Sequence, residues 1–427
     1  MHTTTPAPHT PTPPATAKHN NTPRLRFAEF QEAVPTHPLS GIAEIVNEKI
    51  RVEAISSSSY VSTENLLPEF AGMAATGNLP PVISVTRFQP KDILISNIRP
   101  YLKKVWQADI HGGASNDVLV VRAKSHVDAN YLAALLRSDH FIDYVMRGAK
   151  GVKMPRGEIS MIREFPIPCP SDAEQQKIAA CLTSLDTLIT AQTQKLDTLK
   201  THKKGLMQQL FPRAGETTPR LRFAEFRGEW EQMPLCKVCN VLQGYGFPEA
   251  LQGEIDGKYP FCKVSDISKA VAENGGNLVS AANYIDDEVL LKLKAKTIPN
   301  NSTVFAKIGE ALRLNRRAYV RKECLIDNNV TGLKAIDEVA DDYFIYLLSQ
   351  MIDLNNYCGG AVPSVNKATL EEIPVVIPTL EEQQKIAACL SSLDELVTAQ
   401  AQKVAALQTH KKGLMQQLFP AHDEASA

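Results

Sequence analysis

An excess of charge of either sign is missing from this 427-residue sequence. Its 46 Lys and Arg face 47 Asp and Glu, a formal net charge of −1. A uniformly basic nucleic-acid coat is thereby excluded, whereas local basic patches are not. Long apolar runs are missing too: no stretch approaches the ~20 residues that span a bilayer. The Thr/Pro-rich start, Met1 to Pro23, lacks the apolar segment of a secretory signal, and Met1–Asn21 reads as a disordered tail without a role. Eight cysteines are scattered without disulfide-scaffold density, which points to a reduced, cytoplasmic setting. There is no GxxxxGKS/T loop, HExxH, GxSxG or paired-glycine dinucleotide fingerprint, and Gly244-Tyr245-Gly246 is too short to be one. Cys236 and Cys239 form a single CxxC, and the next cysteine, Cys262, does not supply the second pair that a zinc site requires. No metal and no catalytic residue is expected, and the chain reads as a non-enzyme.

What is present is a repeat. Residues 174–212 and 382–420 are identical at 31 of 39 positions, at an offset of 208. A shorter block, TPRLRFAEF, occurs at Thr22–Phe30 and again at Thr218–Phe226, at an offset of 196. Between these blocks lie two regions, about 31–165 and 227–373, that look unrelated. Constant ends around divergent middles suggest one scaffold carrying two different readers.

Each long repeat reads as a helix. Ser171 precedes Glu174 by three residues and Thr379 precedes Glu382 by three, which predicts two capping boxes, and Pro212 and Pro420 end the runs. Apolar residues recur with 4-3 spacing, predicting a coiled-coil seam. The seam runs through Ile178, Leu182, Leu185, Ile189, Gln192, Leu196 and Leu199 in the first copy, and Ile386, Leu390, Leu393, Val397, Gln400, Val404 and Leu407 in the second. The polar exceptions are Gln192 and Gln400, then Lys203 and Lys411. A helix of this length is a rod of roughly 58 Å, and its narrow stripe needs a partner. Parallel and antiparallel pairing are both open. Antiparallel is favoured, because it generates a pseudo-two-fold internal repeat and brings Gln192 face to face with Gln400. The alternative leaves both glutamines on the wet edge of the seam. Gly205 and Gly413 either cost about 1 kcal/mol each inside the helix or mark a break before a short last turn.

The middles read as mixed helix and strand. Strand-like runs fall at Val82–Thr86, Ile93–Ser96 and Val118–Arg122, then at Phe261–Val264, Thr303–Lys307, Ala318–Val320 and Thr331–Ala335. Helical runs fall at Asn130–Leu136, Phe141–Met146 and near Asp342–Met351. Two alignments hint at a shared fold: Asn116–Arg122 with Asn328–Lys334, and Gly151–Pro155 with Gly359–Pro363. Residues 85–166 hold 13 Lys and Arg against 8 acids, and residues 301–322 hold 6 against 1. Amide, aromatic and cationic side chains of the kind that pair with base edges and phosphates interleave there. The candidate DNA-binding residues are Asn97, Arg99, Tyr101, Lys103, Lys104, Lys150, Lys153, Arg156, Lys263, Lys307, Arg313, Asn315, Arg316 and Arg317.

The duplicated EQQKIA…HKKGLMQQLFP helix with its RLRFAEF linker resembles the specificity subunit of type I restriction–modification systems, over nearly the whole chain. Asp92–Lys103, Phe261–Ile267, Phe305–Gly309 and Asn328–Val330 look like elements of that family's target-recognition domains. One departure is Trp230, present only in the second linker. The resemblance implies an α+β architecture of two mixed target-recognition domains separated by two long conserved helices. The implied order is a tail, 1–22; a target-recognition domain, 23–170; a spacer helix, 171–212; a second domain, 213–378; a second spacer helix, 379–420; and a tail, 421–427. It implies sequence-specific binding of double-stranded DNA at a bipartite target. Two methyltransferase subunits and two restriction/translocase subunits would be the partners, with S-adenosylmethionine, ATP and Mg on those partners and no cofactor in this chain. The competing reading is a pseudo-symmetric coiled-coil adaptor between proteins, without DNA specificity.

Overall fold

The computed structural model describes residues 23–74, 77–360 and 362–419, so both expected tails, 1–22 and 421–427, lie outside the described residues. The architecture is mixed helix and sheet. Contacts divide the chain into two units: one runs up to Thr190 and takes in the chain from Ala406 onward, the other is Ala191–Ala405. Each long helix therefore contributes one part to each unit.

In the first unit, strands rich in branched residues form a four-stranded antiparallel sheet in the order Ala43–Ile45, Val118–Ala123, Ile93–Ser96, Val105–Gln107. Ile93, Leu94 and Ile95 are all buried, so this central strand is covered on both faces. A second sheet is ordered Lys49–Arg51, Ser84–Phe88, Gly112–Ala114, Tyr60–Val61, the last pair parallel. A ribbon of Thr36–Pro38 with Pro166–Pro168 ties the start of the region to its end. The helix Ala129–Leu136 begins at Asp128, whose carboxylate accepts from the amides of Asn130 and Tyr131.

The second unit repeats this plan. Its main sheet is Cys239–Gln243, Val330–Ala335, Thr303–Ala306, Ala318–Val320, with Asn277–Leu278 added in parallel at the edge. A smaller sheet holds Tyr284–Ile285, Tyr259–Cys262 and Leu325–Ile326, and Glu231–Pro234 pairs with Pro374–Ile377. The helix Asp342–Met351 begins at Asp341, whose carboxylate accepts from the Phe344 amide. Registers agree: Ser96 faces Val118 as Ala306 faces Val330. The alignment of Asn116–Arg122 with Asn328–Lys334 thus matches one strand in each unit.

The long helices are Asp172–Leu210 and Leu380–Leu418. Gly205 and Gly413 lie inside them, so the break allowed by the sequence does not form. Within the first unit, Ile178, Ala179 and Leu182 share a core with Leu418, and Asp186 meets Lys411. Within the second, Met207 and Leu210 share a core with Ile386, Ala387 and Leu390, and Lys203 meets Asp394 at 2.6 Å. In each unit the two helix segments therefore run antiparallel. Gln400 donates to the Gln192 side-chain oxygen at 3.0 Å. All fourteen seam residues are buried or half-buried: Ile178, Leu182, Leu196, Ile386, Leu390, Gln400 and Val404 are buried, and Leu185, Ile189, Gln192, Leu199, Leu393, Val397 and Leu407 are half-buried. Among the described residues, no helix is long and apolar enough to cross a membrane, and no cluster of His, Cys, Asp or Glu could hold a metal ion.

Candidate nucleic-acid interface

The two constant blocks meet. Arg26 donates from Nε and Nη2 to the two carboxylate oxygens of Glu174, both at 2.7 Å. Arg222 does the same to Glu382, at 2.8 and 2.7 Å. Lys177 pairs with Glu29 and lies over the Phe27 ring, as Lys385 pairs with Glu225 and lies over Phe223. The Leu25 amide donates to the Gln417 carbonyl and the Leu221 amide to the Gln209 carbonyl, both at the end of a long helix. This corrects the capping boxes: Glu174 and Glu382 point to an arginine from the RLRF block, because a buried carboxylate gains more from a bidentate guanidinium than from one amide. Both guanidinium pKa values are held above the ordinary arginine range, first by that hydrogen bond.

Next along each helix, Gln175 and Gln383 are buried and reach into the variable regions. Gln175 accepts from the Asp128 amide and donates to the Pro170 carbonyl, while Gln383 accepts from the Asp341 amide and donates to the Pro378 carbonyl. Constant side chains thus hold the capped end of one helix in each variable region through its backbone. Backbone recognition leaves the variable side chains free to differ.

A second repeated device is tied to the segment that follows the central strand of each main sheet. A hairpin closes with Lys150 opposite Arg156 in the first unit, and with Gly359 opposite Ser364 in the second. Gly151 and Gly360 take positive φ in these turns, +100° and +85°, which a side chain would disfavour. Each hairpin is fastened to the segment after the central strand. The Arg99 amide donates to the Pro155 carbonyl and the Gly309 amide to the Pro363 carbonyl, both at 2.8 Å. Pro155 and Pro363 of the aligned segments therefore sit at like places in the two units.

The candidate DNA-binding residues divide into two groups. Arg99, Tyr101, Lys153 and Arg316 are exposed and Lys307 is half-buried, and none has an ion-pair partner among the described residues. Lys150, Arg156 and Arg313 are exposed and paired with Glu158, Asp117 and Glu310. Exposed pairs of this kind are weak enough for a phosphate to replace the carboxylate. The other six are engaged by the fold itself. Lys103 bridges Asp139 and Glu69 at 3.0 and 3.2 Å, and the Asp139 hydrogen bond raises its pKa. Lys104 donates to the Thr63 carbonyl at 2.6 Å. Asn97 has its side-chain oxygen buried against Gly157. Lys263 is engaged by Gln252 and the Phe247 ring. Asn315 donates to the Ile352 carbonyl and accepts from Arg317.

Arg317 is buried, with its guanidinium 4.4 Å from the centre of the Phe305 ring, and burial pushes its pKa down to about 10. The registers explain its placement: Tyr319 faces Thr303 as Gln107 faces Ile93, so Arg317 occupies the strand position that Val105 fills in the first unit. No pattern in the Arg-Arg dipeptide distinguishes exposed Arg316 from buried Arg317, because only strand register separates them. Sequence reasoning also missed the Arg26 and Arg222 pairs, although the co-occurrence of the two repeats was their signal.

The model of the type I restriction modification DNA specificity domain family matches residues 83–201 and 227–409, together more than half of the chain. The chain belongs to this family and carries two copies of its domain. The MjaX specificity subunit of a type I restriction enzyme from Methanocaldococcus jannaschii is 26% identical over 328 residues, covering 73% of this chain and 71% of that protein. The EcoR124I/EcoR124II specificity subunit of Escherichia coli is 21% identical over 251 residues, covering 56% and 57%. In fold, the crystal structure of a type I restriction-modification S subunit from M. genitalium aligns with a TM-score of 0.60 at 14% identity, over 94% of this chain and all of that one.

Proposed function

We propose that this chain is the DNA-reading subunit of a type I restriction–modification complex and recognises a bipartite target, one half-site for each variable region. The observation that carries this reading is the duplicated attachment: Arg26–Glu174 and Arg222–Glu382 brace the constant blocks alike, and Gln175 and Gln383 hold a helix start in each variable region alike, while the surfaces of those regions differ. The antiparallel segments within each unit favour a continuous antiparallel coiled coil with a pseudo-two-fold relation between its halves. In this reading the helices act as a ruler. Two readers on one DNA face sit about 34–36 Å apart, one helical turn, within the length of such a rod. The repeated helix surfaces would dock two like methyltransferase subunits. Those partners would flip an adenine and methylate N6 with S-adenosylmethionine, and the nuclease/translocase subunits would use ATP and Mg. This chain contributes binding and positioning.

The test is single-molecule methylation sequencing of DNA from cells that express this chain with its cognate methyltransferase. One bipartite N6-methyladenine motif is expected, and replacing residues 31–165 should change one half only. A complex that forms yet marks no new motif overturns the DNA reading in favour of a protein–protein adaptor.

A further inference from the structure

The repeated hairpins carry apolar side chains that stand exposed among the described residues. Val152 is fully exposed at 103% of its reference area and its neighbour Met154 at 50%; Val362 is exposed at 58%. A single exposed apolar residue is ordinary. Here the same device carries one at both places, on a glycine-turned hairpin fastened at its base through Pro155 or Pro363. A mobile surface loop would need no such fastening.

The surroundings select the kind of partner. Residues 147–158 hold four cations and one acid, and residues 307–316 beside the second hairpin hold Lys307, Arg313 and Arg316 against Glu310. An apolar tip set among cations fits a polyanion that presents apolar groups at its floor. Duplex DNA does so in the major groove, where phosphates line the rim and the thymine C5-methyl group stands among the base edges. A protein partner with an apolar pocket would not favour the flanking cations, and a membrane would require a larger apolar face.

The geometry points to Val152 and Val362 as specificity-determining residues, each placing its methyl groups against a thymine methyl in the half-site read by its unit, with Met154 widening the first contact. This rests on the proposed DNA reading and deepens it: the cations hold the backbone and the valines read a base.

The experiment uses the full-length chain with its cognate methyltransferase, bound to the duplex it selects from a randomised pool. Each thymine is replaced in turn by deoxyuridine, which removes only the methyl group. Losing one buried methyl contact should weaken binding about 4-fold. We expect such a loss at a thymine in each half-site, absent in one half for Val152→Ala and in the other for Val362→Ala, with unchanged melting temperatures. Lys153→Ala should keep the uracil effect and lower the slope of log affinity against log salt by about 0.9. A selected motif whose uracil profile is the same in wild type and both valine variants overturns the inference and leaves the DNA reading intact. Failure to select any motif overturns the reading itself.

Discussion

The brace and the main sheet behave in opposite ways when the two units are compared. At the brace, Arg26–Glu174 and Arg222–Glu382 repeat the same bonds to within about 0.1 Å. On the main sheet, equivalent positions carry different chemistry. In the first unit Arg122 donates to both oxygens of the buried Asp92 carboxylate, at 2.8 and 2.7 Å. In the second, the register puts Ser302 and Lys334 there; Lys334 turns to Asp342, and the Ser302 hydroxyl is buried without a hydrogen-bond partner. Packing at Val105 in one unit is replaced by a buried Arg317 in the other. The comparison teaches where this fold tolerates change: a bidentate ion pair needs both partners, whereas the sheet accepts several solutions at one register position.

The largest expected effect comes from breaking the brace. Arg26→Ala leaves Glu174 buried and unpaired, and such losses typically cost about 3–5 kcal/mol. Arg222→Ala should destabilise to a similar degree, read as shifts of the denaturant midpoint with a fluorescence probe in each unit. Strongly unequal costs would show that the brace is alike in geometry but not in energy. An intermediate effect is expected at the main sheet of the second unit. Arg317→Met removes a buried cation and keeps volume, so thermal unfolding should give a protein as stable as wild type or up to about 2 kcal/mol more stable. The sign follows from burial: the folded state holds the Arg317 pKa below its unfolded value, so charge there opposes folding at neutral pH. The Met variant should therefore lose the gain in stability that wild type shows as pH rises through about 10. The smallest effect tests the helices. A Cβ at Gly205 or Gly413 would meet nothing within 4 Å, so Gly205→Ala and Gly413→Ala should each stabilise by about 1 kcal/mol or less. Destabilisation at either glycine would mean that its conformational freedom is needed.

Much of the architecture was legible in the repeats. Their spacing predicts the long helices and their seam, because helical periodicity is a local property of the chain, whereas the Gln192–Gln400 meeting was one of two open outcomes that contact between the helices decided. The polar seam exceptions were legible only as exceptions. Lys203 and Lys411 acquire a reason when Asp394 and Asp186, at one repeat position, come within reach from the other helix. The candidate interface was legible as clusters and not as residues, since Lys103, Lys104, Asn315 and Arg317 turn inward while Lys153 and Arg316 do not.

By itself the sequence determined that one scaffold is used twice, that its helices carry a heptad seam and that cations gather in both middles. Periodicity, identity and charge are all properties of neighbours along the chain. Only the tertiary structure decided that Glu174 and Glu382 serve arginines about 150 residues away instead of capping their own helices. It also decided which cations stay in solvent, and that Val152 and Val362 are exposed near the positive-φ turns at Gly151 and Gly360. Those outcomes depend on strand register and on contacts between distant segments, and a one-residue change of register would turn each side chain to the other face.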